Sequence, residues 1–273
     1  MKSFTVVVCT KENNFKNAFK QGVFLLLFLP KKVLKTLYNL SACIFFAIGF
    51  SQPMKQDQRA WMAYVGQYKA SPKWGYHMEA QFRMDNQLAQ NLQNLFRVGA
   101  VYHLSDTKNV TAGYALVNTY SALADDYFKE NRLWEQYQFT TKWPKDILIN
   151  RFRLEQRWVE QFGVSEIGQT VSETAYQNRF RVLNRFLWHL TPLKSDKEEL
   201  YVVVQNELFA TLGQNKVNSK VIDQNRLLVG IGLNYNNTIR LELGYLNHCL
   251  TSTSAPNVMN HTVSISLFHN IVL

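Results

Sequence analysis

From Trp61 onward, apolar side chains recur at every second position. In Lys73 to Met84, the residues Trp74, Tyr76, Met78, Ala80, Phe82 and Met84 share one parity, and Gly75, His77, Glu79, Gln81 and Arg83 share the other. This is the period of an extended strand, whose successive side chains point to opposite faces. The split repeats along the chain. Phe96, Val98, Ala100, Tyr102 and Leu104 stand opposite Arg97 and His103, and Phe180, Val182, Phe186, Trp188 and Leu190 stand opposite Arg179, Arg181, Arg185 and His189. Leu227 to Tyr235 alternates against Arg226, and Ile239 to Tyr245 alternates against Arg240 and Glu242. Each segment is roughly ten residues long, enough to cross a hydrocarbon layer at a tilt.

A soluble β-sandwich also alternates, so the character of the polar face decides between the two folds. All arginines lie beyond residue 51, and all except Arg59 are expected inside strands on the polar face. Most lysines of this region (Lys69, Lys73, Lys108, Lys145, Lys194, Lys197, Lys216, Lys220) are expected in turns and loops. A guanidinium can bond to carboxylates and amides in a crowded interior, whereas an ammonium is better left hydrated. The polar faces therefore read as the lumen of a barrel. Its candidate lumen-facing residues are Glu79, Arg83, Arg97, Arg132, Arg151, Arg153, Glu155, Arg157, Arg179, Arg181, Arg185, Glu207, Arg226, Arg240 and Glu242. Trp74, Trp143, Trp188 and Tyr235 each adjoin a short turn, which is how an interfacial aromatic girdle reads in sequence.

Short links near residues 70–73, 105–108, 144–146, 191–198 and 236–238 interleave with longer ones near 85–93, 120–130, 160–177, 212–223 and 249–260. That alternation matches the two ends of an outer-membrane barrel. The expected fold is all-β, an antiparallel transmembrane β-barrel of about 10 to 12 strands over residues 52–273. The tally of about eleven conflicts with the even count of bacterial barrels. Either one strand escapes the pattern or the segment Trp61 to Tyr68 is misplaced. Glu135 also breaks the scheme, sharing parity with Leu133, Tyr137 and Phe139, and is expected at a bulge or near the long-loop rim.

Residues 1–51 have a different character. Lys31, Lys32 and Lys35 precede a largely apolar run from Leu37 to Phe50, and a polar stretch follows from Ser51. A basic region, a short apolar region and a polar exit describe a secretory signal with its core at 31–51, cleaved near Phe50 to Gln52. A second apolar run, Val23 to Leu29, lies ahead of it and leaves two expectations, translation starting near Lys31 to Leu34 or an extended leader. Leu40-Ser41-Ala42-Cys43 spells a lipobox, but apolar residues continue after the cysteine, so the match reads as coincidence.

The formal charge of +10 invites a nucleic-acid reading. However, residues 1–51 hold seven lysines and one glutamate, so most of the excess belongs to the leader. Aromatics reach 14% and charged residues only 18%, against roughly 25% charged in an average soluble domain. Cys249 is the lone cysteine beyond the leader, which leaves no internal disulfide, and no Cys/His cluster suggests a metal. No cofactor is expected.

The motifs Glu130-Asn131-Arg132-Leu133-Trp134-Glu135-Gln136, Asn150-Arg151-Phe152-Arg153, Asn178-Arg179-Phe180-Arg181, Asn206-Glu207 and Asn225-Arg226 recur along these strands. With the opening Trp61 strand and the closing Asn260-His261-Thr262-Val263 strand, they resemble an uncharacterised family of bacterial outer-membrane barrels classed as a domain of unknown function. The resemblance covers nearly all of residues 59–273. It implies a place in the cell outer membrane, with membrane lipid and the barrel-assembly machinery as partners, and no established activity.

Three function classes follow. The arginine rows suit a narrow channel or a binding site for a small anionic ligand. They also suit an ion-pair network that fills and rigidifies a narrow lumen, as in a structural or assembly component of the envelope. An outer-membrane lipid hydrolase would need Ser and His on the same lipid-facing surface. The alternation of Val263, Ile265 and Leu267 sets the nearby serines opposite His261.

Overall fold

The computed structural model describes residues 54–85, 90–122, 124–165, 168–192, 198–213, 220–236, 238–251 and 256–273, with side chains left aside at 163–172 and 191–192. The expected signal sequence, the lipobox and Lys194, Lys197 and Lys216 lie outside these residues.

The described chain folds into eleven strands: β1 (Lys55–Lys69), β2 (Trp74–Asp85), β3 (Gln90–Ser105), β4 (Lys108–Ser121), β5 (Asp126–Lys142), β6 (Asp146–Ser165), β7 (Gly168–Pro192), β8 (Glu198–Leu212), β9 (Ile222–Tyr235), β10 (Ile239–Leu250) and β11 (Val258–Val272). Each pairs with its sequence neighbours, and β1 pairs with β11 to close the barrel.

Closure resolves the strand count. When every neighbouring pair is antiparallel, an odd number leaves the first and last strands pointing the same way. The closing pair β1–β11 is accordingly parallel, in register from Lys55↔Val258 to Lys69↔Val272. The barrel is thus not antiparallel throughout. No strand needs adding, and the Trp61 to Tyr68 segment sits where the alternation places it, in β1. Arg59 is also within β1, inside a strand rather than ahead of one.

The two ends of the barrel differ, although less through loop length than the sequence suggests. One end carries tight links at 70–73, 106–107, 143–145 and 236–238, with a left-handed Asn236 (φ 54°) completing the last. The other carries the longer links 213–221 and 251–257. Residues 160–165 and 168–177, expected in a loop, instead continue β6 and β7 as a hairpin. β5 pairs with β6 only as far as Val159, and β8 pairs with β7 only from Asn178. Beyond those points β6 and β7 pair with each other alone, through a register shift at Gln161/Phe162. The hairpin ladder supplies the backbone partners that the barrel wall no longer provides.

Burial follows parity. Along β2 exposed Trp74, Tyr76 and Met78 alternate with buried Gly75, His77 and Glu79, and along β10 exposed Leu241 and Leu243 flank buried Glu242. The outer face is therefore the apolar one. Trp74 (55% exposed), Trp188 (54%) and Tyr235 (48%) stand out from it at the short-turn end, where Trp74 packs edge-on against Tyr102 with ring centroids 5.0 Å apart. Trp143 is half-buried in the β5–β6 turn, its backbone N–H donating to the Asp146 carbonyl at 2.8 Å.

The inner face is not purely polar. Trp134, Tyr201, Phe209, Leu187 and Val203 are buried inside with the arginines. Large rings fit because glycines face them. A Cβ on Gly99 would lie 2.8 Å from Trp134 Cζ2, and one on Gly232 would collide with the Tyr201 ring. Trp134 lies beside Gly113 in register, and Gly113 beside Gly99, so the indole spreads across two neighbouring strands. Gly99→Val is expected to destabilise the barrel by about 1–3 kcal/mol through overpacking. In a Trp134→Ala background the same substitution should cost less than in the wild type, as read by urea unfolding; an equal cost in both backgrounds would show that Trp134 is not the group Gly99 accommodates.

Candidate functional site

All fifteen candidate lumen residues carry the inward parity of their strands, and eleven of them are buried. The structure brings them together in the middle of the barrel. Glu155, fully buried on β6, accepts from Arg181 Nη1 of β7 at 2.6 Å and from Arg97 Nη2 of β3 at 3.4 Å. Arg132 and Arg153 stand 3.8 and 3.9 Å from it.

From this centre, alternating charges run around and across the lumen. Arg97 donates to Glu79 of β2 at 2.5 Å, and Glu79 also contacts His77 at 3.2 Å. In the other direction Arg181 reaches Glu207 of β8 at 2.7 Å, which also accepts from Arg151 at 2.6 Å. Arg226 of β9 stands 3.8 Å from the same carboxylate. β3 and β6 are not neighbours in the wall, so the Arg97–Glu155 contact is a strut through the lumen. A second strut joins Arg185 of β7 to Glu242 of β10, where Tyr201 of β8 also donates at 2.6 Å. Glu130 gathers Arg132 and Arg157, and Asp223 takes Arg179 at 2.8 Å. Arg240 makes no ion pair among the described residues; its guanidinium lies 5.3 Å from the Phe268 ring.

Aromatic rings complete the closure. Trp134 sits beneath Arg153 (4.7 Å) and Arg97 (5.4 Å), and Phe209 beneath Arg226 (4.4 Å) and Arg181 (4.5 Å). A guanidinium is weakly hydrated and stacks readily on an aromatic face, so these contacts desolvate the charges at lower cost than aliphatic neighbours would. Sequence reasoning singled out neither ring. Its signal was parity, since Trp134 falls between Arg132 and Gln136 on the inward side.

This layer separates two cavities. The one at the short-turn end, about 590 Å³, is lined by Gln67, Lys69, His103 and Asn270 among others. The one at the long-loop end, about 440 Å³, is lined by eight arginines but only two carboxylates, Glu130 and Glu160. Within it, Arg83 donates to Gln81 at 2.6 Å and to Gln93, and makes no ion pair among the described residues. Its guanidinium lies 4.1 Å from the centre of the Trp61 ring, which Arg226 approaches to 4.8 Å. Arg59 lines the same cavity and pairs with Asp57 and Asp85 at 3.4 and 3.3 Å.

Two further expectations meet the geometry here. Ser264 and Ser266 register inward while His261 faces out and contacts Tyr245 and Gln56, so no Ser–His pair forms on one surface of β11. Glu135 is neither at a bulge nor near the long-loop rim. It stands close to the middle of β5, in unbroken register with Ala112 and Leu154, and is exposed on the outer face.

The family model described as protein of unknown function (DUF2490) matches residues 58–260. The chain belongs to this family. Among curated proteins it is similar to an uncharacterized protein of Methylorubrum extorquens, 25% identical over 195 residues, covering 71% of this chain and 79% of that one. Among solved structures it is similar to the NanC porin, with 12% identity, a TM-score of 0.43, and coverage of 74% of this chain and 92% of that one. In this DUF2490 chain the Asn-Arg motifs divide across the wall, with arginine inside and asparagine outside: Asn150 and Asn184 bond to each other at 2.7 Å on the outer face while Arg151 and Arg185 reach inward.

Removing one member of a buried charge cluster leaves its partners uncompensated and typically costs about 3–5 kcal/mol. Glu155→Gln is therefore expected to lower stability by about that amount in urea unfolding. Glu199→Gln, at a part-exposed carboxylate 3.9 Å from His189, should change it by only about 0.5 kcal/mol.

Proposed function

We propose that this protein is an outer-membrane β-barrel whose lumen is closed by its own ion pairs and whose long-loop cavity binds a small organic anion. The location is supported by the apolar outer face, the aromatics at the short-turn end and the enclosure of the arginines. In this reading membrane lipid surrounds the wall, and the barrel-assembly machinery inserts it. The observation that carries the binding role is the imbalance around Arg83: a guanidinium held by neutral amides, in a cavity where arginines outnumber carboxylates. A purely structural network would be expected to neutralise that group.

The closed middle argues against a resting pore, because Glu155, Arg153, Trp134 and Tyr201 are almost wholly shielded from solvent. In planar bilayers the wild-type protein should show no steady conductance. Trp134→Ala/Arg153→Ala, which removes an indole and a guanidinium from the blocking layer, should conduct and favour anions. Steady anion-selective conductance of the wild type would replace the binding reading with a channel.

Binding is tested by calorimetry on detergent-solubilised protein with sulfate, succinate and citrate as probes. The wild type should bind at least one of them, with affinity falling as salt rises. Arg83→Gln should weaken binding roughly ten-fold, the loss of one charge-assisted contact of about 1.4 kcal/mol. Arg240→Gln, outside the residues lining that cavity, should leave it unchanged. No binding of any probe by folded wild type would overturn the proposal. For the membrane location, Phe180→Arg should reduce the folded fraction in lipid vesicles, since an outward arginine costs about 2–4 kcal/mol near the midplane; full tolerance would reverse the assignment of inside and outside.

A further inference from the structure

The outer face is chemically uneven around the barrel. Over β10, β11 and β1 to β3, the outward side chains through the middle of the wall are apolar, including Leu241, Leu243, Ile265, Met78 and Val98, all exposed, and polar ones, Asn247, His261, Gln58 and Asn94, lie towards the long-loop side. Over β5 to β9 they are not. Asn184 of β7 registers with Asn150 of β6 on one side and Asn206 of β8 on the other. Asn184 donates to Asn150 at 2.7 Å, and Asn206 donates to Asn225 of β9 at 3.2 Å. Beside this ladder Glu135 accepts from Gln156 of β6 at 3.3 Å. The other outward charges of the described strands lie towards the ends, Lys108, Asp146 and Glu198 as first residues of their strands and Lys129 on the long-loop side, while Glu160 lies beyond the wall where the β6–β7 hairpin begins.

We propose that the outward arc Asn184–Asn206, backed by the buried Asn150 and with the exposed Glu135 at its edge, is the contact surface for a second copy of this chain, packed side by side about a two-fold axis parallel to the barrel axis. From the preceding reading this takes only that the barrel lies in a bilayer. Hydrocarbon offers no partner to an amide or a carboxylate, so such groups on an outer face call for protein across from them. A second copy fits because a primary amide carries both donors and acceptors, which makes a row of asparagines complementary to itself. Glu135 has carboxylate lone pairs beyond the one Gln156 uses, and the amide donors of the facing copy can fill them. The uneven belt also sets the symmetry. A two-fold contact joins the same arc on both subunits, whereas a ring of three or more joins two different arcs and would set these amides against the apolar side.

The test is the mass of the folded protein in lipid nanodiscs, read by native mass spectrometry. The wild type is expected at two chains per disc and Asn184→Leu/Asn206→Leu at one, with the two-chain mass lost. Faster migration of the variant unboiled than boiled on a detergent gel, as expected of a closed barrel, shows that it still folds. Cysteine pairs give an independent readout on a Cys249→Ser background in membranes. Under mild oxidation Asn184→Cys should form disulfide-linked dimers, and Ile265→Cys, on the apolar arc, should not. A single-chain wild type, a variant that keeps the two-chain mass, or equal cross-linking from both arcs would overturn the proposal. None of these outcomes bears on anion binding or conductance, so the two readings fail separately.

Discussion

The whole structure depends on keeping guanidinium groups off the apolar outer face while also keeping them from repelling one another. A strand with alternating faces can meet the first demand by closing into a barrel, which leaves a single enclosed side for every charged group. The second demand falls on a few carboxylates. Glu155 lies within 4 Å of four arginines and Glu207 within 4 Å of three, so each acid serves several strands at once. Bonds of this kind tie β2, β3, β6, β7, β8 and β9 through the interior, where a backbone ladder connects only neighbours. The aromatic rings between the guanidiniums then fill the space that water would otherwise occupy.

Much of this was legible in the sequence, because period two is a local property. The parity that set Arg151, Arg153 and Arg157 together with Glu155 also set Phe152 and Leu154 apart, and the wall follows it along both strands. What the sequence could not convey is which charge meets which. Arg97 and Glu155 are 58 residues and three strands apart, and their contact depends on the stagger of the closed sheet rather than on any spacing in the chain. The inward rings were hidden for a related reason. Trp134 and Tyr201 are apolar residues at polar-parity positions, and only the glycines on neighbouring strands explain how they fit. Residues 160–177 read as a loop because their alternation is weaker, yet hairpin pairing needs no buried face to satisfy the backbone. Glu135 looked like a flaw in the pattern and proved to be a regular outward position.

The two faces divide the chemistry between them. Charge placed inside is matched at most positions among the described residues, and of the two guanidiniums that make no ion pair, Arg240 and Arg83, the second opens onto the long-loop cavity. Polarity placed outside reaches the middle of the wall on one arc, whereas elsewhere it lies away from the middle. The Asn-Arg motif serves both features at once, since adjacent residues of one strand point to opposite sides of a wall a single residue thick. A substitution at either position of the motif acts on a different surface from its neighbour.

The parallel contact between β1 and β11 has a consequence for how the wall is completed. Hairpins add strands two at a time, and an odd wall cannot be finished that way; one strand must join singly, against a partner far away in the chain. Lys55 and Val258, the first partners of that seam, are separated by nearly the whole body of the protein. The seam therefore carries the largest loop-closure entropy of any pairing in the wall and uses the slanted hydrogen bonds of a parallel ladder, which hold slightly less firmly per residue. It is the last line to zip and the first at which the cylinder would split. The wall is accordingly entered at its long-loop rim, at Lys55, and left at its short-turn rim, at Val272.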